Sequence, residues 1–352
     1  MVMTVNEVEL QRFLGVMEAF PRLRVGVLGD LVADNYIYGI PERLSREAPV
    51  MILRYENEEF FPGGAANTVS NLLAMGACVF VMGMVGEDSA GETILDHLEK
   101  SGADVSGVIC SSAWKTVAKS RILAGDYHTK KQQVLRIDRE PGRAPTHDEL
   151  TQLEQRLELA RNHVDAWVVS DYGYQLVSPR IVNFMKEEAR RGKVVVADSR
   201  HRVRDFKGFT LVTPNELELF SAYGINYIPV EEASEALVVE TGWRLLKDLG
   251  SDAVLVTRGN RGMMLFEPNL EPKGIPISGT RDIVDVSGAG DTVVAAVTLA
   301  LAGRSNFFEA ARLANIAAGV KVMKRGTLPV SSHELRTAAW KLSQNGRGPG
   351  KN

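Results

Sequence analysis

The chain contains little cysteine, with only Cys78 and Cys110 among 352 residues. The two thiols are far apart in the sequence and each lies in an apolar stretch, so we expect both to be reduced residues of the protein core. Two such cysteines argue against a disulfide framework and do not form a zinc-binding pattern. The composition therefore indicates a protein of a reducing compartment, and we expect it in the cytoplasm.

Long apolar runs and an excess of charge of one sign are also lacking. No stretch approaches the ~20 apolar residues that a membrane-spanning helix needs, and the N-terminus has no signal-peptide pattern. The 41 basic and 44 acidic residues leave a formal net charge of −3. This balance favours neither nucleic acid nor a membrane surface as a partner, so we expect a soluble protein that binds small molecules.

The chain alternates apolar, strand-like runs with helical patterns, and we treat residues 1–352 as a single large domain. This alternation predicts an α/β fold, with a mostly parallel sheet covered by helices on both faces. In such sheets, ligands bind beyond the C-terminal ends of the strands. The predicted strands cover residues 23–28, 78–85, 166–169, 193–197, 210–212 and 253–256, and the predicted helices cover residues 6–20, 64–75, 89–100, 147–161, 178–190 and 231–249.

Two segments, residues 36–61 and 115–138, break this alternation with patterns of period two. They predict a small antiparallel sheet inserted into the main domain, which would act as a lid. One face of a small sheet needs cover, so we also expect a homodimer through the lid. Residues 343–352 are polar and rich in glycine, and we expect them to be disordered. The candidates for the dimer face are Tyr36, Ile37, Met51 and Leu53.

A glycine-rich turn near the C-terminus carries the strongest indication of function. Gly288, Ala289 and Gly290 directly precede an apolar, helical run at residues 293–301. Such a turn directs backbone N–H groups and the positive end of the helix dipole at one point, where a phosphate can bind. Asp291 would repel that phosphate unless it serves as a general base for the attacking hydroxyl. From this motif alone, an ordinary helix cap stays an open alternative.

Three further motifs follow the same logic, each with a simpler alternative. Gly63 and Gly64 would let a ligand approach the backbone, and Asn67 offers both a donor and an acceptor, although small residues at a helix start also serve packing. Asn215 and Glu218 share one helix face and suit water bound to Mg²⁺, although acids are common at helix starts. The last motif is a turn after a strand, which by itself would be only a hairpin loop. It contains Thr257, Gly259 and Gly262.

In this order the motifs resemble those of the ribokinase (PfkB) family of carbohydrate kinases, over roughly residues 22–330. The resemblance implies a Rossmann-like ribokinase fold with a small β-sheet lid, ATP and Mg²⁺ as cofactors, and a sugar as acceptor. By motif match, Asp291 is the catalytic base, and Gly288, Ala289 and Gly290 form the anion hole for the transferred phosphate.

The resemblance also implies roles for the other motif residues. The phosphate and Mg²⁺-water positions match Asn215 and Glu218. The nucleotide loop matches Thr257, Gly259 and Gly262, and the helix that borders the adenine carries Asn315, Ala318 and Gly319. The sugar-binding positions match Asp30, Asp34, Gly63, Gly64 and Asn67. A monovalent cation, K⁺ in particular, is bound by many members at the positions of Asp285 and Ser287.

One branch of the family fits best, the kinase domain of bacterial heptose-7-phosphate kinases. Those enzymes phosphorylate O1 of D-glycero-β-D-manno-heptose 7-phosphate on the way to ADP-heptose. The chain departs from the branch at Ser199, Arg200 and Tyr174, where Pro, Lys and Lys are usual, and it lacks the nucleotidyltransferase motif fused to some members, so only kinase activity is implied. The branch positions include the substrate candidates Lys119, Arg121, Arg136 and Asp171, and the basic residues Arg43 and Arg200 accompany them.

Other functions fit the sequence less well. A dehydrogenase would need G-x-G-x-x-G after the first strand, and a P-loop kinase would need G-x-x-x-x-G-K-[ST]; neither pattern occurs. A non-catalytic sugar- or nucleotide-binding protein would not need Asp291, Asn215 and Glu218 together. A kinase of another sugar or of a nucleoside stays open as the alternative to a heptose-phosphate kinase.

Overall fold

The computed structural model describes residues 3–125, 131–225, 234–279 and 283–345. The strands in this part of the chain are β1 (Arg24–Gly29), β2 (Leu31–Leu44), β3 (Met51–Gly64), β4 (Cys78–Gly86), β5 (Asp104–Ser111), β6 (Val117–Ala124), β7 (Gln132–Arg139), β8 (Ala166–Asp171), β9 (Val194–Ser199), β10 (Leu211–Val212), β11 (Ala253–Thr257), β12 (Met263–Phe266) and β13 (Lys273–Ile275). The α-helices are α1 (Glu7–Ala19), α2 (Ala65–Ala74), α3 (Ser89–Lys100), α4 (His147–Ala160), α5 (Pro179–Arg190), α6 (Glu216–Ser221), α7 (Glu235–Leu249), α8 (Ala289–Ala302), α9 (Phe307–Lys321) and α10 (Ser332–Asn345).

Nine of the described strands form the main sheet, in the order β13-β12-β11-β10-β9-β8-β1-β4-β5. Each neighbouring pair from β11 to β5 in this order is parallel, whereas β12 is antiparallel to both of its neighbours, β11 and β13. The chain order reverses on either side of β1, whose neighbours are β8 and β4. Ligands of open α/β sheets bind at such a reversal, so the ends of β1 and β8 mark the place of the site.

Alternating side chains of these strands pack into two apolar cores, one on each face of the sheet. On β8, Val168 belongs to one core, and Trp167 and Val169 belong to the other. Trp167 is fully buried and lies over Gly26 of β1, where an added Cβ would be only 2.2 Å from the indole ring. Burial on both faces explains why these strands are apolar throughout instead of alternating with polar residues.

The small sheet has the strand order β3-β2-β6-β7. Strand β2 begins at Leu31, two residues after β1 ends, and β3 leads directly into α2. The small sheet therefore rises from the edge of the main sheet where the ligand site is expected. One of its faces carries Tyr36 and Arg121, which are paired across β2 and β6, and the opposite face carries their neighbours Ile37 and Ile122.

The predicted fold class is confirmed: a mostly parallel sheet is flanked by helices and joined by a small sheet built from the two period-two segments. Strand β2 starts five residues before the predicted segment at residue 36. Strands β5, β12 and β13 are not among the predicted strands, since β5 has few apolar residues and β12 and β13 are only four and three residues long. In the described residues, no helix is both long and apolar enough to cross a bilayer.

Four expectations need correction. The small sheet is mixed and not antiparallel, because β6 joins β2 in parallel after the chain has passed through β4 and β5 of the main sheet. Cys78 and Cys110 are exposed free thiols rather than core residues, because Cys78 is the first residue of β4 and Cys110 lies near the end of β5, at the edge of the main sheet. Helix α10 continues to Asn345, so residues 343–345 are helical; the rest of the predicted tail lies outside the described residues. Tyr36 is buried on the inner face of the small sheet against Phe61, so it cannot belong to an exposed dimer face.

Candidate active site

The turn before α8 has the geometry of an anion-binding site. Gly288 is the N-cap of α8 with φ of 73°, a left-handed conformation that suits glycine. A Cβ on Gly288 would also lie 2.3 Å from Nδ2 of Asn67, whereas a Cβ on Gly290 would meet nothing within 4 Å. The N–H of Ala289 donates to the carbonyl of Val286, so in the described contacts Gly288 and Gly290 supply the unpaired N–H groups.

Asp291 lies in the first turn of α8 and is 5% exposed. Asn67 donates a hydrogen bond of 2.7 Å from Nδ2 to Oδ2 of Asp291, and the Tyr172 hydroxyl donates one of 3.1 Å to Oδ1. Thr68 adds a longer contact of 3.4 Å to Oδ1. Burial raises the pKa of Asp291 to about 6, against the opposing effect of these hydrogen bonds. A carboxylate with this pKa is ionised at neutral pH and still basic enough to accept a proton.

Asp30 stands at the carboxyl end of β1, beside the reversal of strand order. Its Oδ2 accepts hydrogen bonds from the backbone N–H groups of Tyr172 at 2.7 Å and Tyr174 at 3.4 Å. Its Oδ1 is buried and has no partner among the described residues. Burial, together with the nearby charge of Asp171, raises the pKa of Asp30 to about 7. An unpaired buried carboxylate oxygen is costly on its own and suits the hydroxyl group of a ligand.

The two glycines before α2 give the backbone room beside these acids. Gly64 has φ of 56°, and a Cβ there would lie 2.5 Å from the carbonyl oxygen of Asp30. A Cβ on Gly63 would lie 2.6 Å from Oδ2 of Asp34. Any larger residue at either position would push β3 away from Asp30 and Asp34. The structure thus brings together the five predicted sugar-binding residues Asp30, Asp34, Gly63, Gly64 and Asn67.

Asp34 is 7% exposed and forms an ion pair with Arg121, with 2.6 Å between Oδ1 and Nη1. The guanidinium of Arg121 also lies over the ring of Tyr36, 5.2 Å from its centroid. Arg121 therefore has its charge compensated by the protein itself. It holds Asp34 toward the site, and this arrangement gives it less capacity for a separate anion than the sequence analysis expected.

Asp171, at the end of β8, is engaged by the protein rather than turned to an open space. Its Oδ2 accepts a hydrogen bond of 2.7 Å from the Ser199 hydroxyl, and Arg202 lies 3.3 Å away. The N–H of Gly173 lies 3.3 Å from Oδ1. Ser199 stands where the resembled branch has proline, so this chain has gained a donor for Asp171. These contacts make Asp171 a residue that shapes the 171–174 turn.

A basic cavity of about 670 Å³ opens next to Tyr172, whose hydroxyl contacts Asp291. The ammonium of Lys119 lies 5.5 Å from the centroid of the Tyr172 ring. Burial lowers the pKa of Lys119, as does repulsion by Arg200 and Arg121, against the opposing attraction of Asp34 and Asp138. Neither Lys119 nor Arg200 forms an ion pair within the described residues. The cavity residues with polar or aromatic side chains include Lys119, Arg136, Asp138, Tyr172, Tyr174, Arg200 and His201.

Two of the predicted basic residues, Arg136 and Arg43, are less available to bind a ligand anion in this cavity. Arg136 makes a bidentate ion pair with Asp138, at 2.8 Å from Nε and from Nη2. Arg43 is exposed near the far end of β2, and no contact links it to the cavity. Of the cationic residues expected on the sugar side, Lys119 and Arg200 are therefore the ones that an anion could engage without displacing a carboxylate.

Asn215 and Glu218 form a capping box at the start of α6, which supports the simpler interpretation of this motif in part. The N–H of Glu218 donates to Oδ1 of Asn215 at 2.9 Å, and the N–H of Asn215 donates to Oε2 of Glu218 at 2.8 Å. The box uses one oxygen of each side chain. Burial raises the pKa of Glu218, and burial with the adjacent charges of Glu218 and Asp291 raises that of Asp198 well above its usual range. A cation between these acids would relieve that repulsion.

The predicted nucleotide-binding residues form the neighbouring part of the site. Thr257 lies beside Asn215 in an isolated bridge, and its N–H donates to the carbonyl of Pro214 at 2.9 Å. Gly259 and Gly262 have φ of 55° and 81°, and a Cβ on Gly262 would lie 2.0 Å from the carbonyl of Ile275. The buried ion pair between Arg258 and Glu216, 2.7 Å long, ties this loop to α6.

Helix α9 carries the residues predicted to border the adenine. Asn315 donates a hydrogen bond of 2.7 Å from Nδ2 to the carbonyl of Pro276. A Cβ on Gly319 would lie 2.5 Å from the carbonyl of Ser278, and Ala318 is partly exposed next to it. Asn315, Ala318 and Gly319 thus face the segment that follows β13.

Asp285 and Ser287 lie in the loop before Gly288. Oδ1 of Asp285 accepts the N–H of Ser287 at 2.9 Å, and Oδ2 accepts the N–H of Gly326 at 2.9 Å. The loop is also anchored to the end of α9, because the N–H groups of Val284 and Asp285 donate to the carbonyl of Val322 at 2.8 and 3.1 Å. Asp285 therefore fixes the loop that leads into the anion-binding turn.

Sequence reasoning did not identify Tyr172, Thr68 or Asp198 as site residues. Tyr172 joins the two sides of the site, since its N–H binds Asp30 and its hydroxyl binds Asp291. Asp198 could have been found, since a carboxylate near the end of a parallel strand is a ligand-site signal. Thr68 has no such signal, because its contact with Asp291 depends on how α2 packs against α8.

A buried carboxylate beside unpaired N–H groups can take a proton from a hydroxyl while those groups hold a phosphate, and with a nucleotide loop nearby this is the chemistry of an ATP-dependent sugar kinase. Comparison with known proteins gives the family. The chain belongs to the pfkB family of carbohydrate kinases, whose profile matches residues 23–334.

The bifunctional protein HldE of Pelobacter propionicus is 35% identical to this chain over 325 residues, which cover 91% of the chain and 64% of that protein. The chain thus spans a little under two thirds of the length of the first curated relatives it matches. Ribokinase of Arabidopsis thaliana in complex with ribose and ATP has the same fold, with a TM-score of 0.70, 20% identity, and coverage of 90% of this chain and 98% of that one. Phosphofructokinase-2 of Escherichia coli in complex with potassium gives a TM-score of 0.71 at 18% identity, over 91% and 99% of the two chains.

Proposed function

We propose that this sugar kinase transfers the γ-phosphate of ATP to a phosphorylated sugar, specifically to O1 of a heptose 7-phosphate. The observation that carries this proposal is the basic cavity lined by Tyr172, with Lys119 and Arg200 forming no ion pair with any described acid. The similarity to HldE proteins supports the same choice of acceptor. A kinase of another sugar or a nucleoside is the alternative, and Tyr174, which stands where the resembled branch has lysine, favours testing it.

In this proposal Asp291 is the general base. Its carboxylate takes the proton of the attacking hydroxyl as that oxygen forms a bond to the γ-phosphorus and the bond from the γ-phosphorus to ADP breaks. Asn67 and Tyr172 hold the carboxylate in place before and after it accepts the proton. The N–H groups of Gly288 and Gly290, with Ala289 completing the turn, stabilise the negative charge on the transferred group.

The acceptor is held by the acids at the end of the main sheet and the start of the small sheet. Oδ1 of Asp30, which has no partner in the described part of the chain, accepts a sugar hydroxyl. Asp34, oriented by Arg121, provides a second acceptor from the small sheet. The distal phosphate then extends toward Lys119 and Arg200, because a charged donor pair is the strongest recognition that a phosphate can find there.

The nucleotide lies between the Thr257–Gly262 loop and α9, with its triphosphate toward the turn before α8. The acidic cluster of Asp198 and Glu218 fits a Mg²⁺ ion, since hard cations take oxygen ligands and the repulsion between these two carboxylates falls when one is bound. Glu218 would accept hydrogen bonds from the ion's water molecules, the Asn215 amide would donate to a phosphate oxygen, and the ion would neutralise charge on the phosphates. The capping box leaves one polar atom of each residue for this task.

An acceptor screen by ADP release tests the proposal. The panel contains D-glycero-D-manno-heptose 7-phosphate, hexose and pentose phosphates, the matching neutral sugars, and nucleosides. We expect the heptose phosphate to give the highest kcat/KM, with ³¹P NMR showing a new phosphate on the anomeric carbon. The Asp291→Asn variant, prepared in parallel, excludes a contaminating kinase. A neutral sugar or a nucleoside with a higher kcat/KM than every sugar phosphate would contradict the proposed acceptor.

A further inference from the structure

A lysine lies fully buried next to the loop that precedes the anion-binding turn. Lys321 is the last residue of α9, and its side chain has no exposed surface. Its ammonium donates a hydrogen bond of 2.7 Å to the carbonyl of Gly326. Burying an ammonium costs several kcal/mol unless nearby charges and acceptors compensate it. A hydrophobic residue would fill the same volume without that cost, so the charge calls for an explanation.

The compensating charge is that of Asp285. Burial lowers the pKa of Lys321, whereas Asp285 and, more weakly, Asp291 raise it. Within the described residues, no carboxylate oxygen lies within ion-pair distance of the Lys321 amine. Lysine and acid are linked instead through the backbone of one residue: the Gly326 carbonyl accepts from Lys321, and the Gly326 N–H donates to Oδ2 of Asp285 at 2.9 Å.

The other cation nearby is differently placed. Lys324 lowers the pKa of Lys321 by like-charge repulsion, but its own amine is bound to Glu334 at 2.6 Å and to the carbonyl of Pro329. Lys321 is thus the buried cation that faces the Asp285 loop, and Lys324 is part of a separate, partly exposed ion pair.

The same oxygens would be needed to bind a monovalent metal ion in this loop, as the positions of Asp285 and Ser287 led us to expect. A K⁺ ion loses its water only where several carbonyl or carboxylate oxygens replace it. Here both oxygens of Asp285 accept backbone N–H groups, and the carbonyl of Gly326 accepts the Lys321 amine. A K⁺ ion at this place would share these acceptors with the Lys321 ammonium and would be repelled by its charge, so the residues present do not fit a bound K⁺ ion.

The position of this charge connects it to the anion-binding turn. Asp285 and Ser287 lead into Gly288, and the segment after Gly326 touches the sugar side, since the Thr327 hydroxyl donates to the carbonyl of Pro62 at 2.7 Å. A fixed positive charge behind the turn stabilises negative charge that develops in front of it and keeps the loop in one conformation.

We propose that the ε-ammonium of Lys321 is a built-in cation that takes the place of a bound monovalent metal ion behind the Gly288–Gly290 turn, so that this kinase works without K⁺. Lys321 acts in this proposal as a positioning residue, through Gly326 and Asp285. The inference rests on the proposed role of the turn but not on the identity of the acceptor.

The first experiment uses the unaltered protein. ADP release with any accepted sugar is measured in potassium-free buffer, while KCl replaces tetramethylammonium chloride at constant ionic strength. We expect kcat and KM to change by less than about two-fold, and KCl to give no saturable rise in Tm beyond the tetramethylammonium control. Saturable activation by K⁺, or a Tm that rises saturably with K⁺, would overturn the proposal.

The second experiment removes the ammonium. Lys321→Ala should lower kcat by at least about ten-fold with a smaller effect on the KM for ATP, and K⁺ should restore part of the rate and raise the Tm of this variant. Lys321→Arg, which keeps the charge, should retain more activity than Lys321→Met, which keeps the length. Lys324→Met is the matched control and should show neither effect. Lys321→Met with wild-type kcat and no response to K⁺ would show that the lysine serves packing only.

The outcomes separate this inference from the proposed acceptor. If the heptose phosphate proves to be a poor substrate, the potassium titration is run with the best acceptor found. If Lys321→Ala does not fold, the titration of the unaltered protein and the comparison of Lys321→Arg with Lys321→Met still decide the question. A kinase that requires K⁺ for its preferred sugar would overturn the role of Lys321 alone.

Discussion

The amide of Asn67 binds the carboxylate of Asp291 across 224 residues of sequence, with 2.7 Å between Nδ2 and Oδ2. The same two helices meet again one turn later, where the Thr292 hydroxyl donates to Oδ1 of Asn71 at 3.0 Å. The close packing of α2 on α8 leaves no space for a Cβ on Gly288, which would touch Asn67. The glycine motifs before α2 and before α8 are far apart in the sequence, but the packing of these two helices joins them in one site.

Replacing Asp291 by asparagine tests the proposed base. We expect Asp291→Asn to lower kcat by about 10²–10⁴ and to leave nucleotide affinity nearly unchanged, because an amide cannot accept the hydroxyl proton. Steady-state kinetics and calorimetric ATP titration measure the two quantities. Asp88→Asn, at the start of α3, is the matched control, since Asp88 is an ordinary cap that accepts the N–H of Gly91 at 3.0 Å. A variant at position 291 with more than a tenth of the wild-type kcat would rule out the base.

The difference in stability between this variant and the wild type should depend on pH, because only the wild type carries the buried carboxyl group at position 291. The folded-state pKa of Asp291 is raised from 3.8 to about 6 by burial. The stabilising contribution of the protonated form is fully present below pH 3.8 and is lost as the pH rises through 6, which corresponds to at most about 3 kcal/mol. Asp291→Asn should therefore have a higher free energy of unfolding than the wild type at pH 8, and the difference should disappear near pH 4. Urea unfolding at both pH values measures it; an equal difference at the two pH values would contradict the prediction.

Much of the fold could be predicted from the sequence, because strands buried on both faces are apolar and end at polar residues. The turn at Gly288, the acid at Asp291 and the motif around Asn67 were likewise recognisable, since they depend on local residue types. The pairing of side chains could not be predicted in this way. The local sequence does not show that Arg121 forms an ion pair with Asp34, or that Ser199 donates a hydrogen bond to Asp171, because each contact joins two different strands.

Burial was misjudged for a related reason. Cys78 and Cys110 lie among apolar neighbours, but an outer position of a strand can be exposed while the adjacent residues are not. Tyr36 and Ile37 are adjacent in β2, and a strand directs successive side chains to opposite faces, so both could not belong to one surface. Tyr172 could not be identified as a site residue from the sequence, because its role depends on contacts with two residues that are distant in the chain, Asp30 and Asp291.

The pH dependence of catalysis should report Asp291. We expect kcat/KM to fall on the acidic side with an apparent pKa between about 6 and 7, since Asp291 must be ionised and Asp30 has a pKa of about 7. The hydrogen bond from Asn67 lowers the pKa of Asp291, so Asn67→Ala should move the acidic limb to higher pH. Thr68→Val should move it less, because its contact of 3.4 Å is longer. If the acidic limb of the pH profile does not move in Asn67→Ala, the limb does not report the ionisation of Asp291.

The outer face of the small sheet should form the homodimer contact. Ile37, Ile122 and Leu135 lie in register across β2, β6 and β7, and Leu135 and Ile137 are 55% and 57% exposed. An apolar row of this kind on a small sheet needs cover. We expect sedimentation to show a dimer at micromolar concentration and Leu135→Glu to shift it to monomer. Leu159→Glu, on an exposed position of α4, is the control. A strict monomer in the wild type would contradict this prediction.

Recognition of the sugar's phosphate should depend on Lys119 more than on Arg121. Lys119 has no ion-pair partner among the described residues and faces the basic cavity, whereas Arg121 is bound to Asp34. Lys119→Met should raise the KM for a phosphorylated sugar by the equivalent of about 1.5–3 kcal/mol, the value of a hydrogen bond to a charged group, with little effect on the matching neutral sugar or on ATP.

Arg121→Met should behave differently, because it leaves the buried carboxylate of Asp34 without its partner. We expect it to lower kcat/KM for phosphorylated and neutral sugars alike. Arg136→Met is the matched control for removing a cation, since Arg136 is half exposed and already paired with Asp138. Initial rates with one sugar phosphate and its neutral counterpart separate the three variants. Equal losses of kcat/KM for both sugars in Lys119→Met would show that this cavity does not bind the phosphate. That result would contradict the proposal of an anionic acceptor.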